Sequence, residues 1–191
     1  HSRVPEKLAL RVKANSGTVN MWQGYILGAR GYYSAFYKDF YFWANNGDDA
    51  MSSSDIASTH SAIAVGAYTS AASFSNVSGS NLSFGQSNNN LCSFSSQGPT
   101  ADGRIKPNIC GPGSAVISAV NSYDPSYLNT GNNYNLVCSE YTALNGQTYR
   151  YAALQGTSMS SPAVAGIVAL MLEANPNLNP YQVQQILYNT A

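Results

Sequence analysis

The chain has 191 residues, of which 44% are hydrophobic and only 9% are charged, against about 25% in an average soluble domain. Nine basic residues balance nine acidic ones, so the chain lacks the basic surface that binding to nucleic acid or an anionic membrane requires. The length and the apolar content suffice for one domain with a core, or for a domain fragment plus an extra lobe.

The N-terminus shows no targeting segment and the longest apolar run is too short for a membrane span, so we expect an interior piece of a longer precursor with any export signal already removed. The N-terminus, His1–Pro5, lacks the charged and then apolar layout of a signal peptide. The run Ala163–Leu172 is shorter than the roughly 20 residues that a bilayer requires. We therefore interpret that run as part of a buried helix.

The first region of the chain alternates apolar and polar residues and is rich in aromatic ones. Leu8–Val12, Thr18–Trp22 and Asp39–Trp43 have the period-two or aromatic character of half-buried antiparallel strands. This pattern predicts a β-rich segment over residues 1–54.

A different pattern begins near residue 61. The short apolar run Ala62–Ala67 predicts a parallel strand covered on both faces. The polar stretch Ser70–Asn90 predicts loop, and Ile105–Ile109 and Ala115–Ile117 predict two more short strands around a glycine-proline turn. Residues 121–154 form a second polar stretch.

Two helices are predicted at the C-terminal end. The first covers Ser158–Ala174, is apolar on nearly every side, and is stopped by Asn175-Pro176. The second has Asn179 as its N-cap and Pro180 as its first helical residue. Its apolar face is supplied by Val183, Ile186 and Leu187.

The chemistry of the chain is expected at the start of the first predicted helix. Residues Gly156–Pro162 read Gly-Thr-Ser-Met-Ser-Ser-Pro and place Ser158 at the helix N-terminus. A serine hydroxyl needs an adjacent base and a stabilised oxyanion to act as a nucleophile. The unpaired N–H groups and the dipole of a helix N-terminus favour that oxyanion.

This heptapeptide resembles the nucleophile motif of the subtilase family, and other blocks follow the family order. Ala62–Ala67 is similar to its V-I-A-V-G-A strand, Phe94–Thr100 to its F-S-S-x-G-P-T block, and Asp102–Ile109 to its D-G-R-x-K-P-[DN]-[IV] block. The resemblance covers residues 55–191, as the C-terminal part of the catalytic domain. It implies a partial α/β domain with a mostly parallel sheet and flanking helices.

The resemblance implies a serine endopeptidase that cleaves a protein or peptide substrate, with Ser158 forming the acyl-enzyme. The two histidines, His1 and His60, both lack the family's H-G-T-H context, and no D-x-G strand end is present. We therefore expect the catalytic His and Asp upstream of residue 1, in the missing N-terminal half of the same protease. The isolated chain is expected to be inactive.

The family's oxyanion-binding asparagine has one local candidate. Asn45 lies in Phe42–Gly47, at about the family's distance from the strand Ala62–Ala67. The stretch lacks the family's A-G-N sequence, which favours a turn residue over a donor at Asn45. We interpret residues 1–54 as the end of a β-rich insert such as some large subtilases carry.

Cysteines and carboxylates indicate no cofactor. Cys92, Cys110 and Cys138 have no zinc-like spacing, and their odd number leaves open whether any of them form a disulfide. The resemblance allows structural calcium and implies a secreted, cell-surface or periplasmic location.

Two other functions remain open from the sequence. A pseudoprotease or scaffold would keep the subtilase shell for binding, and the Tyr, Trp and Asn content of residues 19–46 would suit a glycan- or peptide-binding module. An α/β-hydrolase is excluded because the motif at Ser158 lacks the second glycine of G-x-S-x-G.

Overall fold

A computed structural model describes residues 10–22 and 46–190 of the chain. Contacts divide the chain into two units, His1–Asp48 and Asp49–Ala191. In the first unit, residues 10–22 are exposed and irregular, with a bend at residues 15–17. The predicted strand Thr18–Trp22 is therefore wrong, as is the described part of Leu8–Val12, because neither stretch pairs into a sheet. The predicted strand Asp39–Trp43 lies outside the described residues.

The second unit contains seven strands and two α-helices. The strands are β1 (Val65–Tyr68), β2 (Ser73–Ser75), β3 (Asn81–Ser83), β4 (Ile109–Pro112), β5 (Val116–Val120), β6 (Val137–Thr142) and β7 (Thr148–Leu154). The helices are α1 (Thr157–Ala174) and α2 (Pro180–Thr190). Two 3₁₀ turns, Pro125–Tyr127 and Tyr134–Leu136, lie between β5 and β6.

The parallel pair β1 and β4 forms the floor on which α1 packs. Val164 of α1 forms an apolar core with Val183 and Leu187 of α2, and Val65 and Ile109 of the two strands pack against that core. This arrangement confirms the α/β class and the parallel strand predicted over Ala62–Ala67. Only part of that run is strand, since β1 begins at Val65.

Two antiparallel sheets complete the unit. β2 and β3 form a hairpin, and β5, β7 and β6 form a three-stranded sheet in that order. Phe74 of β2, Ala115 and Ala153 of β7 form a second apolar core. The predicted loop Ser70–Asn90 and the polar stretch 121–154 therefore both contain strands. The short strand β2 contains a single buried apolar residue, Phe74. The polar composition around it therefore gave no strand pattern in the sequence.

The segment predicted as the strand Ile105–Ile109 is loop until its last residue. The Lys106 side chain is buried there, and its Nζ donates to the Ala62 carbonyl oxygen at 2.6 Å and to Asn108 Oδ1 at 2.9 Å. A buried ammonium must be hydrogen-bonded, and Pro107 has no N–H to donate to a ladder. Through Lys106, this segment links the residues just before β1 to the residue before β4, and it does not itself join the sheet.

Both predicted helices are confirmed, together with the C-terminal end of α1 and the start of α2. Asn175 is the C-cap of α1. At the start of α2, Gln182 N donates to Asn179 Oδ1 and Asn179 N donates to Gln182 Oε1, each at 3.0 Å. This reciprocal pair is a capping box, which explains why α2 begins at Pro180.

The prediction that α1 is a buried helix is wrong within this structure. Only Ser160 and Val164 of α1 are buried, whereas Ile167 and Leu170 on its outward side are exposed. No element in the described part of the chain covers that side. Over its 18 residues the mean hydropathy is 1.3, so by length and composition alone α1 could cross a membrane. The core helix of a soluble protein meets the same test.

A compact loop from Thr100 to Arg104 precedes Lys106. The Thr100 hydroxyl donates to Asp102 Oδ1, and Arg104 Nε donates to Asp102 Oδ2 at 2.8 Å. The hydrogen bond from Arg104, and then that from Thr100, lower the pKa of the Asp102 carboxyl to about 2. The carboxylate form of Asp102 is therefore favoured in the folded loop.

Alanine substitutions at two glycines can test the packing on the two sides of α1. A methyl group added at Gly113 would lie 2.4 Å from Ala67 Cβ and 2.6 Å from Ser160 Oγ. We expect Gly113→Ala to lower the free energy of unfolding by about 1–3 kcal/mol, as overpacking does. Gly166, on the outward side of α1, has nothing within 4 Å of such a methyl group. Because alanine favours the helix over glycine, Gly166→Ala should raise the free energy of unfolding by up to about 1 kcal/mol. Urea denaturation measures both, and a loss in the Gly166 variant would contradict an open outward side.

The Asp102 loop makes the free energy of unfolding depend on pH in the acid range. The pKa of Asp102 is about 2 in the folded chain and near 3.9 in an unfolded one. Its contribution is therefore present above pH ~4 and is lost as the pH falls from ~4 to ~2. In Asp102→Asn, the urea midpoint should be lower at neutral pH and should fall less steeply over that interval than in the unmodified chain. Arg104→Gln should reproduce most of this change. If the urea midpoints of the variants and of the unmodified chain fell in parallel as the pH is lowered, the prediction would be contradicted.

Candidate active site

The turn from β7 into α1 depends on a glycine. Gly156 has φ of 142°, a value that side-chain-bearing residues rarely adopt. Its N–H donates to the Gly113 carbonyl oxygen at 2.9 Å. The turn is thus fixed to the chain segment that follows β4, and Ser158 comes two residues later as the second residue of α1.

Ser158 is exposed at an open helix end. Gly156, the N-cap residue, supplies no side-chain hydrogen bond, and the first backbone bond of this end runs from Met159 N to Gly156 O at 3.0 Å. The N–H groups of Thr157 and Ser158 therefore have no partner among the described residues. Unpaired donors at a helix N-terminus stabilise negative charge, so an oxyanion beside Ser158 would be favoured.

The neighbouring Ser160 differs from Ser158 although both belong to the same motif. Ser160 has 0% exposure, and its Oγ has no hydrogen-bond partner in the described part of the chain. It lies against Gly111 and Gly113. Ser160 thus seats the first turn of α1, while Ser158 presents its hydroxyl outward.

A small cavity adjoins the residue before Ser158. Its volume is about 230 Å³, and it is lined by residues that include Ser52, Ser54, Ala57, Gly66, Ser96 and Thr157. Nearly all of these side chains are small, and several carry hydroxyl groups. The loop that carries Ser52 is fixed by bonds from Ser52 N to Gln97 O and from Gln97 N to Ser52 Oγ, each 2.9 Å. Sequence analysis missed this cavity because the loop lies outside every recognised block.

The structure brings no base to Ser158 within residues 10–22 and 46–190. The Ser158 side chain makes no hydrogen bond there, and His60 lines a separate groove with Asn179, Pro180 and Tyr181 at the start of α2. Two residues considered from the sequence, His1 and the oxyanion candidate Asn45, lie outside the described residues.

The remaining sites considered from the sequence involve cysteine and metal. Cys92, Cys110 and Cys138 are free thiols. Burial raises the pKa of the Cys110 and Cys138 thiols, so they are poor nucleophiles at neutral pH. No group of three or more His, Cys, Asp or Glu side chains in the described ranges is arranged to hold a metal.

Comparison with known proteins gives one family and several partial relatives. A family model described as "Subtilase family" matches residues 17–191, which begins earlier than the resemblance predicted from residue 55. The chain is 38% identical to serine protease AprX of Bacillus subtilis over 52% of the chain and 20% of that protein. It is 42% identical to fervidolysin of Fervidobacterium pennivorans over 42% of the chain and 10% of that protein.

A third relative, the minor extracellular protease Vpr of Bacillus subtilis, is 33% identical over 53% of the chain and 10% of its own length. The chain thus matches a fifth or less of the length of these three relatives. No solved structure matches the chain significantly.

The turn before Ser158 can be tested by adding one methyl group. Gly156→Ala should lower the free energy of unfolding by about 1–3 kcal/mol, because an alanine is strained at this φ, although nothing lies closer than 3.7 Å to the added carbon. Ser158→Ala, at an exposed position, should change it by less than about 0.5 kcal/mol. Urea denaturation compares the two variants. Equal stability of Gly156→Ala and the unmodified chain would show that the turn does not require glycine.

Proposed function

The chain belongs to the subtilase family, and we propose that it forms the nucleophile-bearing part of a serine endopeptidase in which Ser158 makes the acyl-enzyme. The observation that carries the proposal is the exposed Ser158 hydroxyl at the open N-terminus of α1. The parent protease is proposed to be secreted or held at the cell surface or in the periplasm, as the extracellular protease Vpr among its relatives suggests.

The chemistry follows from that geometry. Ser158 Oγ attacks the carbonyl carbon of the scissile bond as a base takes its proton, and the carbonyl oxygen becomes an oxyanion. The Ser158 N–H donates to this oxyanion. Collapse of the intermediate expels the amine, which takes the proton back from the base. Water then hydrolyses the ester, so that the free Ser158 hydroxyl is restored.

We propose that the base and its orienting carboxylate come from a segment of the protease outside this chain. Among the described residues, no imidazole or carboxylate contacts Ser158, and His60 lines a different groove. The chain alone should therefore have no useful peptidase activity, because a serine without its base loses nearly all its rate.

The outward side of α1 supports such an arrangement. It combines the exposed large residues Ile167, Leu170 and Leu172 with the small residues Ala165 and Gly166. Small residues allow another element to approach closely, and burying the large ones stabilises the contact by about 1.5–3 kcal/mol per fully buried side chain. The segment of the protease that is proposed to carry the base is also the proposed partner for this surface.

The substrate is proposed to be a protein or peptide, and the cavity beside Thr157 is proposed to receive one of its side chains. A volume of about 230 Å³ with serine, alanine and glycine in its lining suits a small or medium uncharged side chain. No charged residue lines it, so nothing there would compensate a buried charge.

The test is labelling with a fluorophosphonate, which reacts only with a serine activated by a base. The complete protease should gain one adduct on Ser158, measured by intact mass and peptide mapping, and the isolated chain should gain none. Ser158→Ala should abolish labelling and lower kcat by about 10⁵-fold or more.

Ser160→Ala is the matched control for the labelling experiment. It removes a buried hydroxyl of the same motif that has no partner, so labelling should persist. A complete protease that does not label at Ser158, although folded, would refute the proposed activity and favour a pseudoprotease that keeps the shell for binding.

A further inference from the structure

The cavity beside Thr157 has an apolar lining and a hydroxyl lining. Alanine, valine, glycine and proline form the apolar part. The other lining residues all carry hydroxyl groups, and we call them the hydroxyl wall: Ser52, Ser53, Ser54, Ser96 and Thr157. Among the residues that the structure describes, no charged side chain and no imidazole lines the cavity. The side chains that could recognise a polar ligand there are therefore all neutral.

Most hydroxyls of this wall are free to bind a ligand. The hydroxyls of Ser53, Ser96 and Thr157 make no hydrogen bond with any described residue, and all three residues are half-buried. Ser54 Oγ accepts a hydrogen bond from Ala57 N at 3.3 Å, so its own O–H is still available to donate. Each hydroxyl can donate one hydrogen bond and accept others. The wall therefore offers both donors and acceptors to a ligand.

The fifth residue of the hydroxyl wall, Ser52, holds the wall in place. Its Oγ donates to Asp49 O at 2.6 Å and accepts from Gln97 N at 2.9 Å, while Ser52 N donates to Gln97 O at 2.9 Å. Met51, just before it, has φ of 54°, a left-handed conformation that persists only where surrounding bonds hold it. A wall fixed before the ligand enters costs less ordering on binding.

The same bonds bring two parts of the wall together beside the reacting serine. Ser53 follows Ser52 and Ser96 precedes Gln97, so the Ser52–Gln97 bonds place these two hydroxyl residues on neighbouring chain segments. Thr157 lines the same cavity and directly precedes Ser158. A substrate side chain that enters the cavity therefore belongs to a residue close to the scissile bond.

We propose that the cavity selects a substrate residue with a carboxamide side chain, glutamine or asparagine, beside the scissile bond. This inference rests on the proposed peptidase function and names the side chain that its substrate presents. A carboxamide has two donor hydrogens and an oxygen with two acceptor positions, which several hydroxyls can bind together. Its methylene groups would lie against the apolar lining at Ala64, Val65 and Pro107.

Other side chains fit this lining less well. An aliphatic side chain would remove water from the free hydroxyls and leave them without partners, which is unfavourable. A carboxylate or an ammonium group would find no opposite charge in the lining. A serine or threonine side chain offers fewer hydrogen bonds than a carboxamide. A site that binds a polar group rejects the analogue lacking that group more strongly than an apolar pocket rejects a wrong shape.

The test compares three peptides on the complete protease. They carry Gln, Met or Glu at one position of an otherwise constant sequence, because Met replaces the carboxamide by an unbranched apolar chain and Glu replaces it by a charge. Mass spectrometry locates the cleaved bond, and kcat/KM is measured for each peptide. The value for the Gln peptide should exceed those for the Met and Glu peptides by about tenfold to a hundredfold.

A double variant assigns this preference to the hydroxyl wall. Ser53→Ala/Ser96→Ala should lower kcat/KM for the Gln peptide about tenfold and raise it for the Met peptide, because no free hydroxyl is then buried against the apolar chain. The matched control is Ser70→Ala/Ser87→Ala, at two exposed serines outside the cavity, which should keep the Gln/Met ratio. If Ser53→Ala/Ser96→Ala does not fold, the three peptides on the unmodified protease still decide.

Two results would overturn the inference. One is cleavage of the Met or Glu peptide as fast as the Gln peptide, and the other is an unchanged Gln/Met ratio in folded Ser53→Ala/Ser96→Ala.

Failure of the peptidase proposal appears differently, since the unmodified protease would then neither react with a fluorophosphonate nor cleave any peptide. In that case fluorescence anisotropy with the complete protease carrying Ser158→Ala decides the inference. Tighter binding of the Gln peptide, by about tenfold or more, would support it, and equal binding of the three peptides would refute it.

Discussion

The close approach of α1 to β4 is the constraint on which the rest of the second unit depends. Gly111 and Gly113 lack side chains where the first turns of α1 cross the strand and its exit, and Ser160 and Val164 occupy the space. Interiors packed at this density do not accept an added methyl group without movement. Because Ser160 is fixed, Ser158 is fixed too. The Gly156–Gly113 bond then fixes the end of β7 relative to the same residues.

The sequence allowed prediction where one short stretch determines its own conformation. Asn179, Pro180 and Gln182 specify the start of α2 through local bonds, and Asn175 ends α1 as expected. The turn before Ser158 was predictable for the same reason, since Gly156 has a backbone conformation that favours glycine. The unpaired N–H groups of Thr157 and Ser158 follow directly from the position of a helix end.

Prediction failed where distant pairing decides the structure. β6 and β7 lie in polar sequence, and their register depends on cross-strand partners such as Glu140 and Arg150 that no local pattern reveals. Lys106 was misassigned because its ammonium is satisfied by Ala62, 44 positions away. The burial of α1 was overestimated, since its composition matches a core helix and its outward side has no cover among the described residues. The cavity beside Thr157 likewise combines segments that are remote in sequence.

The uncovered side of α1 also bears on the order in which a protease of this kind matures. A chain whose nucleophile helix is already formed, with Ile167 and Leu170 in water, resembles a late folding intermediate that exposes apolar surface and is prone to aggregate. The exposed apolar side of α1, which would promote aggregation, is the surface that the proposed partner segment would bury. Docking of the proposed segment would bury the apolar surface and place the base beside Ser158 at the same time. Peptidase activity would then appear only once that surface is covered. If docking of the proposed segment also supplies the base, this coupling would keep half-folded chains from digesting one another.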